Sequence, residues 1–128
     1  MENKKIILAI DDNPVQLRLY KEMLVPRYDL RAVKAASEAI NFMNANMVDL
    51  ILLDIEMPNV SGFEFLNDIR TVPSYLNVPI IIVSGNSGAA FMEKTRKSSA
   101  AGVLSKPVDP DVLVKKIEEV IAAGGKNG

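Results

Sequence analysis

The amino-acid sequence predicts an α/β protein in which a doubly wound, five-stranded parallel sheet carries five helices on its two faces. Short apolar runs rich in β-branched residues alternate five times with longer segments of helical periodicity. Such alternation predicts parallel strands, because the crossover between two parallel strands is right-handed. The apolar runs lack a period of two, which is typical of strands covered on both faces. With 128 residues and neither a linker nor a repeat, we expect one domain over residues 1–128, with its core in residues 5–122.

The first round consists of a strand at residues 6–10 and a helix with a clear start signal. Asn13 is suited to cap that helix, and Pro14 suits its first position. The buried stripe of the helix is formed by Leu17, Tyr20 and Leu24. The second round is weaker, with a strand at residues 28–33 and a helix at residues 36–46 whose inward side chains are Ile40 and Met43.

The third round gives the strongest strand prediction, at residues 48–53, because nearly all of them are apolar. A loop over residues 54–62 follows, since a proline and a terminal glycine interrupt regular structure there. Ser61, with Glu64 three residues later, forms a capping-box pattern at the next helix start. That helix continues with Phe65, Leu66 and Ile69.

The last two rounds are shorter. They comprise a strand at residues 79–83, a helix at 89–100 with little apolar stripe, and a minimal strand at 103–104. Asp109–Pro110 repeats the cap-plus-proline signal. The final helix has inward positions at Leu113, Ile117, Val120 and Ile121. A glycine pair is expected to end it, which leaves residues 124–128 as a short flexible tail.

Composition excludes several classes of function. The chain has no cysteine and no histidine, so it contains neither a thiolate metal site nor a histidine phosphoacceptor. A net charge of −1 argues against direct nucleic-acid binding. No apolar run approaches the roughly 20 residues of a membrane helix, and the start does not read as a signal peptide. We therefore expect a cytoplasmic domain without membrane insertion.

Polar side chains follow four of the five predicted strands. Asp11 and Asp12 follow the first, Asp54 the third, Ser84 the fourth and Lys106 the fifth. In an open parallel sheet, functional groups gather outside the carboxyl ends of the strands. The pattern thus predicts that these five side chains lie in one small region.

The chemistry of this set favours phosphoryl transfer. Three converging carboxylates repel each other, and a divalent cation would relieve that conflict. Oxygen ligands without histidine or cysteine indicate magnesium or a similar hard ion such as manganese. Lys106 adds a compact positive charge and Ser84 a hydroxyl donor. An aspartate nucleophile that forms an aspartyl phosphate requires such surroundings.

Each feature also has a plain structural interpretation. Asp11–Asp12 suits a turn before a helix, Asp54 a turn after a strand, and Ser84 and Lys106 ordinary loops. Their joint position at strand ends favours the functional interpretation. The charges at residues 93–97 and 115–119 are expected to be solvated helix faces.

Four segments resemble one known family. They are Asp-Asp-Asn-Pro at 11–14, Leu-Leu-Asp-Ile-Glu-Met-Pro at 52–58 with Gly62, Pro-Ile-Ile-Ile-Val-Ser at 79–84, and Leu-Ser-Lys-Pro at 104–107. Together they resemble the response-regulator receiver domains of two-component signalling and phosphorelays, including the chemotaxis regulator. The resemblance implies a flavodoxin-like sheet with strand order 2-1-3-4-5. The strand order is taken from the resemblance and not from the residue pattern, because a member of the family is a standard example of that order.

The resemblance also implies roles for the acidic residues. Asp54 would accept a phosphoryl group from a histidine kinase or a phosphotransfer protein. Asp12, Asp54 and the backbone carbonyl of Glu56 would bind magnesium directly, and Asp11 would act mainly through water. The chain would thus be a phosphoacceptor in signalling, with self-catalysed phosphotransfer and autodephosphorylation, and not an enzyme that acts on a separate substrate.

Further roles are implied for the other strand-end residues. Lys106 would contact the phosphoryl group, and the bond to Pro107 would be cis. The Ser84 hydroxyl would follow the phosphoryl group and shift its loop. The face formed by the last helix, the last strand and the preceding helix would bind an unknown downstream partner, with possible contacts from Lys94, Lys97 and Lys115.

The chain departs from the family pattern in places. Val103 stands where the family usually has tyrosine or phenylalanine, a ring that changes rotamer in signal transmission. Gly85 stands where alanine is common, which is expected to loosen the loop. Glu56 and Asn86 occupy variable positions beside the phosphoryl group. We predict that Glu56 modulates the lifetime of the phosphate by competing for the site of the attacking water.

Other functions are compatible with parts of the pattern. A haloacid-dehalogenase phosphatase uses a strand-end aspartate with a second aspartate two residues later, but Glu56 stands there. A degenerate receiver, acting as a constitutive interaction module without phosphate, is compatible with Val103. A flavin-binding module is disfavoured, because the acidic loop after the first strand would repel a phosphate.

Overall fold

The computed structural model describes residues 4–57 and 61–127, and the side chains of 124–127 fall outside this description. The strands are β1 (Ile6–Ile10), β2 (Asp29–Val33), β3 (Leu50–Asp54), β4 (Ile80–Ser84) and β5 (Gly102–Ser105). The helices are α1 (Pro14–Leu24), α2 (Ala36–Ala45), α3 (Gly62–Ile69), α4 (Ala89–Lys97) and α5 (Pro110–Asn127). This alternation confirms the predicted α/β class.

The five strands form one parallel sheet in the order β2-β1-β3-β4-β5, as the resemblance implied. The register aligns the carboxyl ends of the strands. Asp54 is paired with Val83, and Ser84 with Ser105. The residues that follow β1 and β5 therefore lie at the same edge of the sheet as Asp54 and Ser84.

The core has two layers because alternate strand residues face opposite sides of the sheet. Ile7 and Ala9 of β1 pack under α1 and α5, whereas Leu8 and Ile10 pack under α2, α3 and α4. Every residue of β3 and β4 is buried, because both strands are central and covered on both sides. The strand β2 is at the edge of the sheet and is less buried.

The helix starts follow the predicted capping. Asn13 Oδ1 accepts a hydrogen bond from Val15 N at 2.9 Å, with Pro14 at the first helical position. Asp109 Oδ1 accepts from the backbone N–H groups of the second and third residues that follow it. Ser61 also caps its helix, but its hydroxyl accepts from Phe63 N at 3.2 Å instead of from the N–H of Glu64. The cap is confirmed, and its capping-box geometry is not observed.

Several boundaries differ from the prediction. The helix α4 ends at Lys97, where the Ser98 hydroxyl donates to the carbonyl of Thr95 at 2.6 Å and the chain turns extended. The helix α5 continues through Gly124–Gly125 to Asn127, so the predicted helix end was wrong. A glycine costs a helix about 1 kcal/mol relative to alanine, which weakens the helix without forbidding it.

One further element completes the description. A 3₁₀ turn at Pro73–Tyr75, which the sequence analysis did not predict, connects α3 to β4. Residues 58–60 of the predicted loop lie outside the described part of the chain. None of the helices within residues 4–57 and 61–127 is long and apolar enough to cross a membrane.

Candidate functional site

Three carboxylates meet where β1 and β3 end. Asp11 directly follows β1, Asp54 is the last residue of β3, and Asp12 lies beside them on the exposed side. One oxygen from each of the three lies within 4.8 Å of the others. Asp11 is only 1% exposed and Asp54 only 4%, so two of the three charges lie in the protein interior.

Lys106 joins the two buried carboxylates. Its Nζ donates to Asp11 Oδ2 at 3.2 Å and lies 3.5 Å from Asp54 Oδ1. Backbone N–H groups complete the arrangement: that of Asn13 donates to Asp11 Oδ1 at 2.9 Å, and that of Glu56 to Asp54 Oδ1 at 3.1 Å. Among the described residues, both contacts of Asp54 fall on Oδ1, so neither of them engages Oδ2.

The pKa values reflect this crowding of charge. Burial raises the pKa of Asp54 above its ordinary value, and the Asp11 charge adds to the increase, although the Glu56 N–H and Lys106 oppose it. Burial alone would lower the pKa of Lys106, but the charges of Asp11 and Asp54 raise it overall. Burial, and then the same two carboxylates, raise the pKa of Tyr20. Lys106 therefore stays positively charged, and a further cation would stabilise the ionised form of Asp54.

The three carboxylates fit a hard divalent ion. They offer oxygen atoms only, close together, and their three negative charges lie beside the positive charge of Lys106. Magnesium prefers such ligands and keeps several waters when bound at an open site. Asp12 is exposed, which leaves the cluster accessible from solvent.

Ser84 lies one strand away, at the end of β4, and is 1% exposed. Its hydroxyl donates to Glu56 Oε1 at 3.1 Å and accepts from Asn86 N at 2.9 Å. The N–H of Gly85 also donates to Glu56 Oε1, at 3.3 Å. A backbone role and an effect on water were predicted for Glu56, but this side-chain contact between the ends of β3 and β4 was not.

The start of α3 packs closely against the end of β3. A Cβ atom on Gly62 would lie 2.7 Å from the Cα of Ile55 and 3.0 Å from the carbonyl oxygen of Asp54. The backbone N–H of Gly62 donates to the Ile55 carbonyl at 3.2 Å. Since contacts under 3.0 Å require a shift of the backbone, glycine is what permits α3 to begin so near Asp54.

Two other predicted features are placed by the structure. The Lys106–Pro107 bond is cis, as expected, and Val25–Pro26 is a second cis bond that was not predicted. Val103 is half-buried and packs on the α2–α4 side of the core. It also lines a pocket of about 530 Å³ between α4 and β5, together with residues that include Met92, Thr95 and Gly102.

Comparisons with known proteins agree with this arrangement. The profile of the family described as "Response regulator receiver domain" matches residues 7–118. The chemotaxis protein CheY homolog of Campylobacter jejuni is 28% identical, over 95% of this chain and 96% of its own length. The receiver domain protein (CheY-like) of Methanospirillum hungatei is 26% identical, with a TM-score of 0.89 over 98% of this chain and 100% of its own.

A longer relative is the CAI-1 autoinducer sensor kinase/phosphatase CqsS of Vibrio cholerae. It is 34% identical over 90% of this chain, which spans 17% of the length of that kinase. Sequences similar to this chain therefore make up nearly all of one relative and a small part of another.

Proposed function

The chain belongs to the response regulator receiver domain family, and from that premise we propose that Asp54 accepts a phosphoryl group and thereby switches a protein-binding surface. The observation that carries this proposal is the position of Asp54 at the end of β3. It is buried next to Asp11 and paired with Lys106, and the contacts that it makes with the Glu56 N–H and with Lys106 both involve Oδ1.

We propose that the donor is the phosphohistidine of a histidine kinase or of a phosphotransfer protein. An Asp54 carboxylate oxygen attacks phosphorus, the new O–P bond forms, and the P–N bond breaks with its electron pair left on the imidazole. The Lys106 ammonium lies 3.5 Å from Asp54 Oδ1 and is placed to bind an oxygen of the transferred group. Attack of water on the same phosphorus later releases phosphate and restores Asp54.

Asp11, Asp12, Asp54 and the Glu56 carbonyl would hold magnesium, or manganese in its place. The bound ion supplies charge neutralisation to the transferred group. Without that ion, the described residues still bring one ammonium group to two buried carboxylates, which is less positive charge than the site needs. We therefore expect phosphotransfer to depend on a divalent cation.

The Ser84 hydroxyl is proposed to follow the phosphoryl group and to move the loop between β4 and α4. The output would be a population shift between two states, read by a downstream partner on the face of α4, β5 and α5. Lys94, Lys97 and Lys115 are the proposed partner contacts. Val103 cannot reproduce the rotamer change of an aromatic ring, so we expect the loop and α4 to carry most of the signal.

A receiver that binds partners without phosphate is the second candidate, because Val103 departs from the family pattern and lines a pocket beside β5. A haloacid-dehalogenase phosphatase is less well supported. Its second aspartate is replaced by Glu56, whose carboxylate is engaged by Ser84 and Gly85.

Intact-mass measurement after incubation with acetyl phosphate tests the proposal. We expect a phosphoryl adduct that requires magnesium and is lost in Asp54→Ala. The matched control is Asp68→Ala, which removes an exposed carboxylate on α3 and is expected to keep the adduct. Absence of the adduct in folded wild-type protein, even with a histidine-phosphate donor, would favour the constitutive module. Turnover of free phosphomonoesters would favour the phosphatase.

A further inference from the structure

Glu56 connects the ends of two neighbouring strands through two different parts of one residue. Its backbone N–H donates to Asp54 Oδ1 at 3.1 Å, at the end of β3. Its side-chain Oε1 accepts hydrogen bonds from Ser84 Oγ at 3.1 Å and from Gly85 N at 3.3 Å, at the end of β4. A change at Asp54 can therefore reach the loop after β4 through a single residue.

The hydroxyl of Ser84 cannot donate to Glu56 and to another acceptor at the same time. A serine hydroxyl has one proton to donate, and that of Ser84 is donated to Glu56. The same oxygen accepts from Asn86 N at 2.9 Å, which fixes the orientation of the hydroxyl from the other side. To donate to a phosphoryl oxygen on Asp54, Ser84 must first release Glu56.

We infer that the Glu56 carboxylate is an internal competitor of the phosphoryl group, which holds the Ser84–Gly85 donors in the resting protein and is displaced on phosphorylation. A carboxylate and a phosphoryl group are both anions and both accept from the same donors, so they compete for them. Like charges in a confined site also repel, which favours departure of Glu56 once Asp54 carries phosphate. This inference rests on the proposed phosphorylation of Asp54.

The loop after β4 connects Ser84 to the start of α4 through hydrogen bonds, so displacement of Glu56 can affect that helix. Asn86 donates its N–H to Ser84 Oγ and accepts the Gly88 N–H on its own Oδ1 at 2.8 Å. Gly88 is the cap residue of α4. Ser84, Asn86 and Gly88 thus form a continuous chain of hydrogen bonds from the competitor to the start of α4.

The resting contact is tested without magnesium or a phosphodonor. Glu56→Ala is expected to shift the amide resonance of Gly85 and to accelerate its hydrogen exchange about threefold or more, because the amide loses its acceptor. Glu56→Gln keeps an acceptor oxygen and is expected to retain most of the wild-type behaviour. Glu64→Ala, which removes an exposed carboxylate on α3, is the control. A Gly85 amide unchanged by Glu56→Ala would overturn the inference.

Competition is tested with beryllofluoride and magnesium, which mimic a phosphoryl group on aspartate. Glu56→Ala is expected to bind the mimic about fivefold more tightly than wild type, or about 1 kcal/mol. Glu64→Ala is expected to bind like wild type. Equal or weaker binding by Glu56→Ala would overturn the competition. Failure of wild type to bind the mimic or to form the adduct would instead overturn the proposed function, while the Gly85 measurement would still judge the resting contact.

Discussion

The site has two halves that are held together in opposite ways. The half formed by Asp11, Asp54 and Lys106 contains two buried carboxylates and consists of charged groups in direct contact, and we call it the buried half. The half formed by Glu56 and Gly85 is exposed and consists of hydrogen bonds to a loop. Ion pairs in the interior resist rearrangement, because breaking one leaves an uncompensated buried charge. Exposed hydrogen bonds exchange readily with water. We therefore expect the first half to fix the chemistry and the second half to move.

The largest effect is expected from removal of the positive charge of Lys106. Lys106→Ala is expected to slow adduct formation from acetyl phosphate about 100-fold, since a preorganised charge at the transferred group is lost. Lys21→Ala, at an exposed lysine of α1, is the control. The rates are measured by intact mass over time, with circular dichroism to verify folding. A rate close to that of wild type would show that the buried half does not control the chemistry.

Two glycine substitutions compare the rigidity of the halves. Gly62→Ala places a Cβ 2.7 Å from the Ile55 Cα and is expected to lower the free energy of unfolding by about 2 kcal/mol. Gly85→Ala meets no atom within 4 Å and is expected to cost little. Urea denaturation of both variants measures the difference. Equal costs would mean that the loop after β4 is packed as tightly as the start of α3.

The pH dependence of stability tests the charge in the buried half. The pKa of Asp54 is higher in the folded protein, so the folded state binds more protons than the unfolded state between the two pKa values. The ionised carboxylate thus lowers stability at neutral pH, and this cost disappears as the pH falls below the unfolded value of about 4. In a chelator, Asp54→Asn is expected to be more stable than wild type at neutral pH.

That gain is expected to shrink as the solution is acidified, and urea denaturation at several pH values measures it. The control is Asp68→Asn, which changes an exposed carboxylate. A gain that does not vary with pH would show that it arises from packing or from new hydrogen bonds of the amide.

The smallest effect is expected in the exposed half. Glu56→Ala is expected to change the rate of dephosphorylation by about threefold. The change is small because one polar group near the reacting phosphorus affects the access of water by less free energy than one strong hydrogen bond contributes. Decay of the adduct, followed by intact mass after removal of the donor, measures it. An unchanged decay rate would confine the role of Glu56 to its contact with Ser84 and Gly85.

The sequence predicted the buried half better than the exposed one, for a physical reason. Parallel strands in register place their ends at one edge, so Asp11, Asp54 and Lys106 had to converge once the strands were identified. The Glu56 side chain points from a loop, where rotamer and backbone are decided by neighbours and not by periodicity. The sequence therefore located this residue in the site without predicting what its carboxylate contacts.

Helix ends were less predictable than strand ends. The termination of α4 at Lys97 depends on the hydroxyl of Ser98, and the continuation of α5 through its glycine pair depends on small differences in helix propensity. Such differences amount to about 1 kcal/mol and are easily outweighed by tertiary contacts. The burial of whole strands involves far more free energy, which explains why the sheet was easier to predict.

The position of β2 at the edge of the sheet has a consequence for solubility. An edge strand presents unpaired backbone groups to which a strand of another molecule can add. On β2, Asp29 and Arg31 form an exposed ion pair at 2.9 Å, and the Arg31 guanidinium also lies 5.9 Å from the ring centre of Phe42. A second chain that docked on this edge would have to desolvate those charges. The short, charged β2 thus disfavours the addition of a further strand at this edge of the sheet.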